Sequence, residues 1–156
     1  RNSKNIHEYA KTWTGMGLTA RSLEVPGMDP IVSEHDGAAG ARRQVGAILN
    51  KLMGEHGIEA GRIVVLCNRS MSNSIFSTKD ERTLGKYVVS EQAELKKANY
   101  VRLRTIQRFK GLEADVVILV VHRRPEDRVE ERHLAPELLY VGSTRAKHLL
   151  YVVNVG

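Results

Sequence analysis

The chain predicts an α/β domain, a mostly parallel sheet flanked by helices, and three observations carry that prediction. Ile63-Val64-Val65-Leu66-Cys67 and Val116-Val117-Ile118-Leu119-Val120-Val121 are continuous apolar runs rich in β-branched residues, the pattern of strands buried on both faces. Ala41 to Met53 carries Val45, Ile48, Leu49, Leu52 and Met53 on one helical stripe. Strand-like and helix-like segments alternate, which implies parallel pairing through crossover connections.

Taken in order, Ser3 is an N-cap for a helix through about Thr14, with Ile6, Tyr9, Ala10 and Trp13 at helical spacing and Gly15 and Gly17 stopping it. Between Leu18 and Gly40 two prolines and several glycines break the pattern, and Pro30-Ile31-Val32-Ser33 reads as a short edge strand. The helix of Ala41 to Met53 closes at Gly54, and Arg62 to Cys67 is a buried strand. Asn68 to Ala98 is polar, loop with one short helix over about Ser90 to Lys97. Tyr100 to Thr105 alternates as a strand, and Val116 to Val121 follows as a central one. Arg123 to Arg132 is a charged surface loop, Leu134 to Ala146 has a helical pattern, and Leu149 to Asn154 is the last strand. Pro136 sets the start of that last helix's regular part.

With 156 residues the chain is one domain's worth, and it opens on Arg1 rather than Met, so residues 1–156 are expected to be a single domain of a longer protein. Lys and Arg exceed Asp and Glu by 24 to 18, a net +6 that permits an anionic partner without requiring one. One cysteine, Cys67, excludes an internal disulfide, and it lies within an apolar run as a buried thiol would. No apolar stretch approaches the roughly 20 residues that span a bilayer, and the visible start has no signal-peptide pattern, so the expected location is cytoplasmic with no membrane partner. The six histidines show no metal-ligand spacing.

A nucleotide-hydrolysing site needs a Gly-rich loop with Lys and Ser/Thr for the phosphates, and a carboxylate at a strand end for Mg²⁺. Neither is present. Gly85-Lys86 is followed by Tyr87 with no strand before it, and Asp115 precedes its apolar run instead of following it. The isolated chain is therefore expected not to hydrolyse ATP. Arg145, in a helix-compatible stretch of small residues leading into an apolar run, supplies a different part. Its guanidinium is permanently charged and suits phosphate oxygens. Taken singly, Arg145 also reads as an ion-pair partner of a residue such as Glu137, Gly111 as a turn, Lys110 as a solvated charge and Glu113 as a salt-bridge partner. Tyr9, Trp13, Tyr100 and Tyr140 sit on apolar stripes and strands and read as core.

The run from Tyr140 to Lys147, Tyr-Val-Gly-Ser-Thr-Arg-Ala-Lys, resembles motif VI of UvrD-type superfamily 1 DNA helicases, with Gly142 and Ser143 at positions that more commonly hold Ala and Leu. The family's motif V reads Thr-x-His-x-x-Lys-Gly-Leu-Glu, and Thr105, Lys110, Gly111, Leu112 and Glu113 match it, with Gln107 in place of His. The resemblance implies the C-terminal, second RecA-like lobe of such a helicase, a P-loop NTPase-like domain without its own phosphate loop. It implies that Arg145 is an arginine finger, worth on the order of 10³ to 10⁵ in rate, and that Glu113 sits near the ribose and γ-phosphate with Gly111 allowing close backbone approach. Arg1 resembles the arginine of a further motif that also reaches the γ-phosphate. Thr105 and Gln107 would face single-stranded DNA, and Asn68, Arg69 and Ser70, after an apolar strand, resemble a further strand-contacting segment. ATP and Mg²⁺ would be bound mainly by an N-terminal RecA-like lobe of the same parent chain.

One departure stands out. The family usually inserts a large accessory domain before motif V, and only about thirty-five residues separate Arg69 from Thr105 here, so duplex unwinding by the parent stays open. Lys-Gly-Leu-Glu favours DNA, while Phe109 echoes an RNA-directed branch and keeps RNA open. The alternative to the motor reading is a non-catalytic basic α/β module that binds nucleic acid or another protein.

Overall fold

The computed structural model describes residues 30–92, 97–109, 112–122 and 145–156. Within them a seven-stranded sheet is formed by β1 (Ile31–His35), β2 (Ile63–Cys67), β3 (Thr83–Leu84), β4 (Tyr87–Ser90), β5 (Tyr100–Thr105), β6 (Ala114–His122) and β7 (Ala146–Val155). Their order across the sheet is β1-β7-β6-β2-β5-β4-β3, and every pairing is parallel except the β3–β4 hairpin. The mostly parallel sheet expected from the apolar runs is thus present. Ile31–His35 forms the anticipated edge strand, beside β7.

The central strands are apolar because both faces are covered. Every residue of β2 is fully buried, and so are Val117 to Val121 in β6. Helix α1 (Ala38–Leu49) lies on one face, where Ala41, Val45, Ile48 and Leu49, with Leu52 just beyond its end, join Ile63, Val65, Cys67, Ile118, Val120 and Val153 in one core cluster. Val64, Leu66, Val117, Leu119, Leu150 and Val152 point to the other face, with Ile106 and Phe109, in a second cluster. Alternation along each strand decides which cluster a residue joins. Cys67 is buried as its run implied, and burial pushes its thiol far above the ordinary range.

Several boundaries differ from the expectations. The helix begins at Ala38, before the expected Ala41, and continues as a π-helical turn over Asn50–Glu55. Gly54 therefore does not close it. A Cβ there would stand 3.2 Å from both the Tyr87 hydroxyl and the Asn50 side chain, and the left-handed residue that ends the run is Gly57, at φ 65°. Ser90 closes β4 and does not open a helix; residues 93–96, the rest of that expected helix, lie outside the described residues. Gly85-Lys86 is the two-residue loop of the β3–β4 hairpin, with Gly85 at φ 68°. Ala146 belongs to β7, which starts three residues before the expected Leu149, because Ala146 pairs with Ala114 and is fully buried. The helix over Ser3–Thr14, residues 134–144 of the helix expected over Leu134–Ala146, and the charged loop of Arg123–Arg132 lie outside the described residues. Among the described residues no helix is long and apolar enough to cross a membrane.

Candidate functional site

The parallel strands gather two groups of polar residues at their opposite ends. From Ala114 at one end to Val120, which stands level with Cys67 and Thr105 at the other, six steps of roughly 3.3 Å put those ends about 20 Å apart.

At the strand starts, Glu113 and Arg145 each stand immediately before a first strand residue, and those residues, Ala114 and Ala146, pair with one another. The Ala114 N–H donates to the Arg145 carbonyl at 3.1 Å, and the Arg145 guanidinium donates to the Leu112 carbonyl at 3.4 Å. Motif V and motif VI are thereby tied together at adjacent strand starts. Leu112 itself is 54 % exposed, a large apolar side chain at this rim.

Just inside that rim the β6–β7 register shifts, so that Lys147 and His148 stand against the single residue Asp115. Such a bulge turns side chains out of the ladder, and both are exposed. Asp115 accepts a 2.6 Å hydrogen bond from Arg62 Nε and lies 3.7 Å from His148 Nε2. The Arg62 hydrogen bond, followed by the charges of Arg62, His148 and Lys147, holds the Asp115 carboxyl below the usual carboxylate range. The motif reading did not include this cluster. Its sequence signal is that Arg62 and Asp115 each immediately precede an apolar run's pairing residue, Ile63 and Val116.

At the strand ends, Thr105 pairs with Cys67, and the Ile106 N–H donates to the Cys67 carbonyl at 3.0 Å. The Thr105 hydroxyl accepts from the Arg108 N–H at 3.3 Å, opening a 3₁₀ turn, Gln107–Phe109, anchored by buried Phe109. That turn presents Gln107 and Arg108 to solvent, and Ser70 is exposed nearby in sequence to β2's end, while Arg69 and Thr105 are half-buried. Asn68 is turned inward. It is 5 % exposed, its carbonyl oxygen accepts the His122 backbone N–H at 2.8 Å, and its amide donates to the His122 carbonyl at 3.3 Å. The carboxamide thus clamps β2 to β6 and is not presented to a strand. His122 Nε2 accepts from the Ile75 N–H at 3.0 Å, which makes Nδ1 the protonated nitrogen facing Asn68 Oδ1. Arg1 and Gly111 lie outside the described residues.

Residues 100–153, from β5 to β7 and spanning both motifs, match the family of UvrD-like helicase C-terminal domains. The recognition made from the motifs is borne out. Over 100 % of its length, and 87 % of the other chain, it is also similar to a solved structure, the C-terminal domain of a possible DNA helicase from Lactobacillus plantarum WCFS1, at 25 % identity and a TM-score of 0.71. No curated protein matches the chain. Among the described residues there is no group of three or more His, Cys, Asp or Glu side chains able to hold a metal.

Proposed function

We propose that this UvrD-like domain is the second lobe of an ATP-dependent helicase or translocase, and that it completes an ATP site whose phosphate loop and Mg²⁺ ligands lie on a first lobe. The observation that carries the reading is the juncture of Arg145 with Leu112 and Ala114, which fixes the matched arginine beside Glu113 at one end of the sheet. A guanidinium held there can donate to phosphate oxygens across a cleft, and Glu113 can accept from a ribose hydroxyl. Exposed Leu112 gives the rim an apolar contact for the opposite lobe.

At the other end, Arg69, Ser70, Thr105 and Gln107 form the rim we assign to single-stranded nucleic acid, DNA on the motif V residues. Asn68 acts there through His122, by holding β2, whose end carries Arg69 and Ser70, against β6. The test is the single-strand-stimulated ATPase of a protein that includes the first lobe. Arg145→Ala should abolish turnover while nucleotide binding persists, and normal turnover in that variant would refute the assignment. Protein that folds but shows no ATPase in either form would favour the non-catalytic binding module.

A further inference from the structure

We infer that the groove at the β4–β5 corner of the sheet is a second contact for the phosphate chain of a single-stranded nucleic acid, distinct from the Arg69–Gln107 rim. This rests on the nucleic-acid half of the function proposed above. The groove encloses about 830 Å³ between the segment that leaves α1 and the starts of β4 and β5. Met53, Ile58, Tyr87 and Tyr100 give it an apolar and aromatic lining.

Two cations line the groove and a third stands beside it. The Lys97 ammonium lies 5.0 Å from the Tyr100 ring centre and the Arg102 guanidinium 5.6 Å from that of Phe109, while Lys86, outside the lining, lies 5.4 Å from the ring centre of Tyr87, which the groove shares. Ring faces position a cation without neutralising it. The described ion pairs engage Arg42, Arg62, Arg82 and His148 instead, and among the described residues Glu59 is the one carboxylate in the groove's lining. Arg102 donates to the Gly61 carbonyl at 3.3 Å, but its Nε is buried without a hydrogen-bond partner. Burial first, and the neighbouring charge of Arg104 second, lower the Arg102 pKa, the response of a cation short of solvent and of a counter-charge. An anion entering the groove would supply that counter-charge.

Cations over an apolar, aromatic floor are the combination that holds single strands, whose phosphates meet charge while sugars and bases meet the floor. A duplex keeps its base faces stacked inside and would leave the floor unused.

The test is binding of a short fluorescent oligothymidine to the 156-residue chain across a salt series, comparing wild type with the Lys86→Ala/Lys97→Ala double variant and with Gln107→Ala. Both lysines are exposed, so the fold is not at risk. The double variant should bind severalfold more weakly at low salt, and its slope of log K against log salt should be shallower by about 1.4, the value for two single-strand phosphate contacts. Gln107→Ala should weaken binding and leave the slope in place. Wild-type binding with an unchanged slope in the double variant would overturn the groove assignment and leave the nucleic-acid rim standing. No binding by any form would overturn both. Lysine-dependent competition by a duplex or by polyglutamate, as strong as that of the single strand, would assign the groove to a different partner and overturn the inference.

Discussion

Arg145 and Leu112 are joined by a 3.4 Å hydrogen bond from guanidinium to backbone carbonyl, across 33 residues of sequence. The side chain matched to the finger is thus also a strut between two motifs. Its charge alone does not reproduce that role, because a lysine ammonium lacks the planar fork that can bind a carbonyl and a phosphate together. Arg145→Lys in a two-lobe protein should therefore lose most of the on the order of 10³ to 10⁵ in rate that such arginines contribute. Steady-state ATPase checks this, and an Arg145→Lys enzyme within a few fold of wild type would show that charge suffices.

The Arg62–Asp115 pair makes a prediction in pH. The Asp115 carboxyl is held low, chiefly by the Arg62 hydrogen bond, so the folded state releases its proton more readily than the unfolded chain does. Its stabilisation is present above the unfolded carboxylate range and is lost as pH falls through the folded value, below about pH 4. With Arg62 largely exposed, the pair is worth about 0.5–1 kcal/mol. Urea unfolding should show Asp115→Asn less stable than wild type by that amount at pH 7, with the gap closing in acid. A gap that widened in acid would contradict the sign.

Removing the Asn68 side chain leaves the His122 N–H and Nδ1–H without their acceptor in a buried place. Asn68→Ala should cost about 2–3 kcal/mol of stability, since buried donors left unsatisfied keep their full desolvation penalty. Single-strand binding by the fraction that stays folded should fall less than in Gln107→Ala. Chemical denaturation followed by binding at saturating folded protein separates the two effects.

Cys67 offers a probe of integrity. Burial raises its thiol far above the ordinary range, and the thiolate is the reactive form. A chromogenic disulfide reagent should leave Cys67 untouched in native protein at pH 8 and react stoichiometrically in denaturant. Rapid native reaction would mean that β2 opens to solvent.

The sheet's centre was legible because Ile63–Cys67 and Val116–Val121 cannot be mistaken for a one-sided strand or a loop. The β3–β4 hairpin was not, since Leu84 and Tyr87 are too close to Gly85-Lys86 to show any period. The start of β7 was hidden by its bulge: Lys147 and His148 look like a link between a helix and a strand until Asp115 is seen opposite them. Asn68 shows the sharper limit. A polar residue after a buried strand reads as a ligand contact, and nothing local reveals that its partner, His122, stands 54 residues away. Tyr100 failed the other way: it reads as core, yet it is half-buried beneath Lys97 in the groove.

Because the two rims sit at opposite ends of the same buried strands, the sheet is a lever. Its middle is packed on both faces and cannot bend cheaply, so any tilt imposed at the Arg145 end reappears, magnified by distance, at the Gln107 end. A rigid rotation of about 15° over an arm of about 20 Å would sweep the far rim through about 5 Å. In the two-lobe motor proposed above, stiffness in β6 would then set stride length, and softening that strand should uncouple fuel from travel before it unfolds the domain.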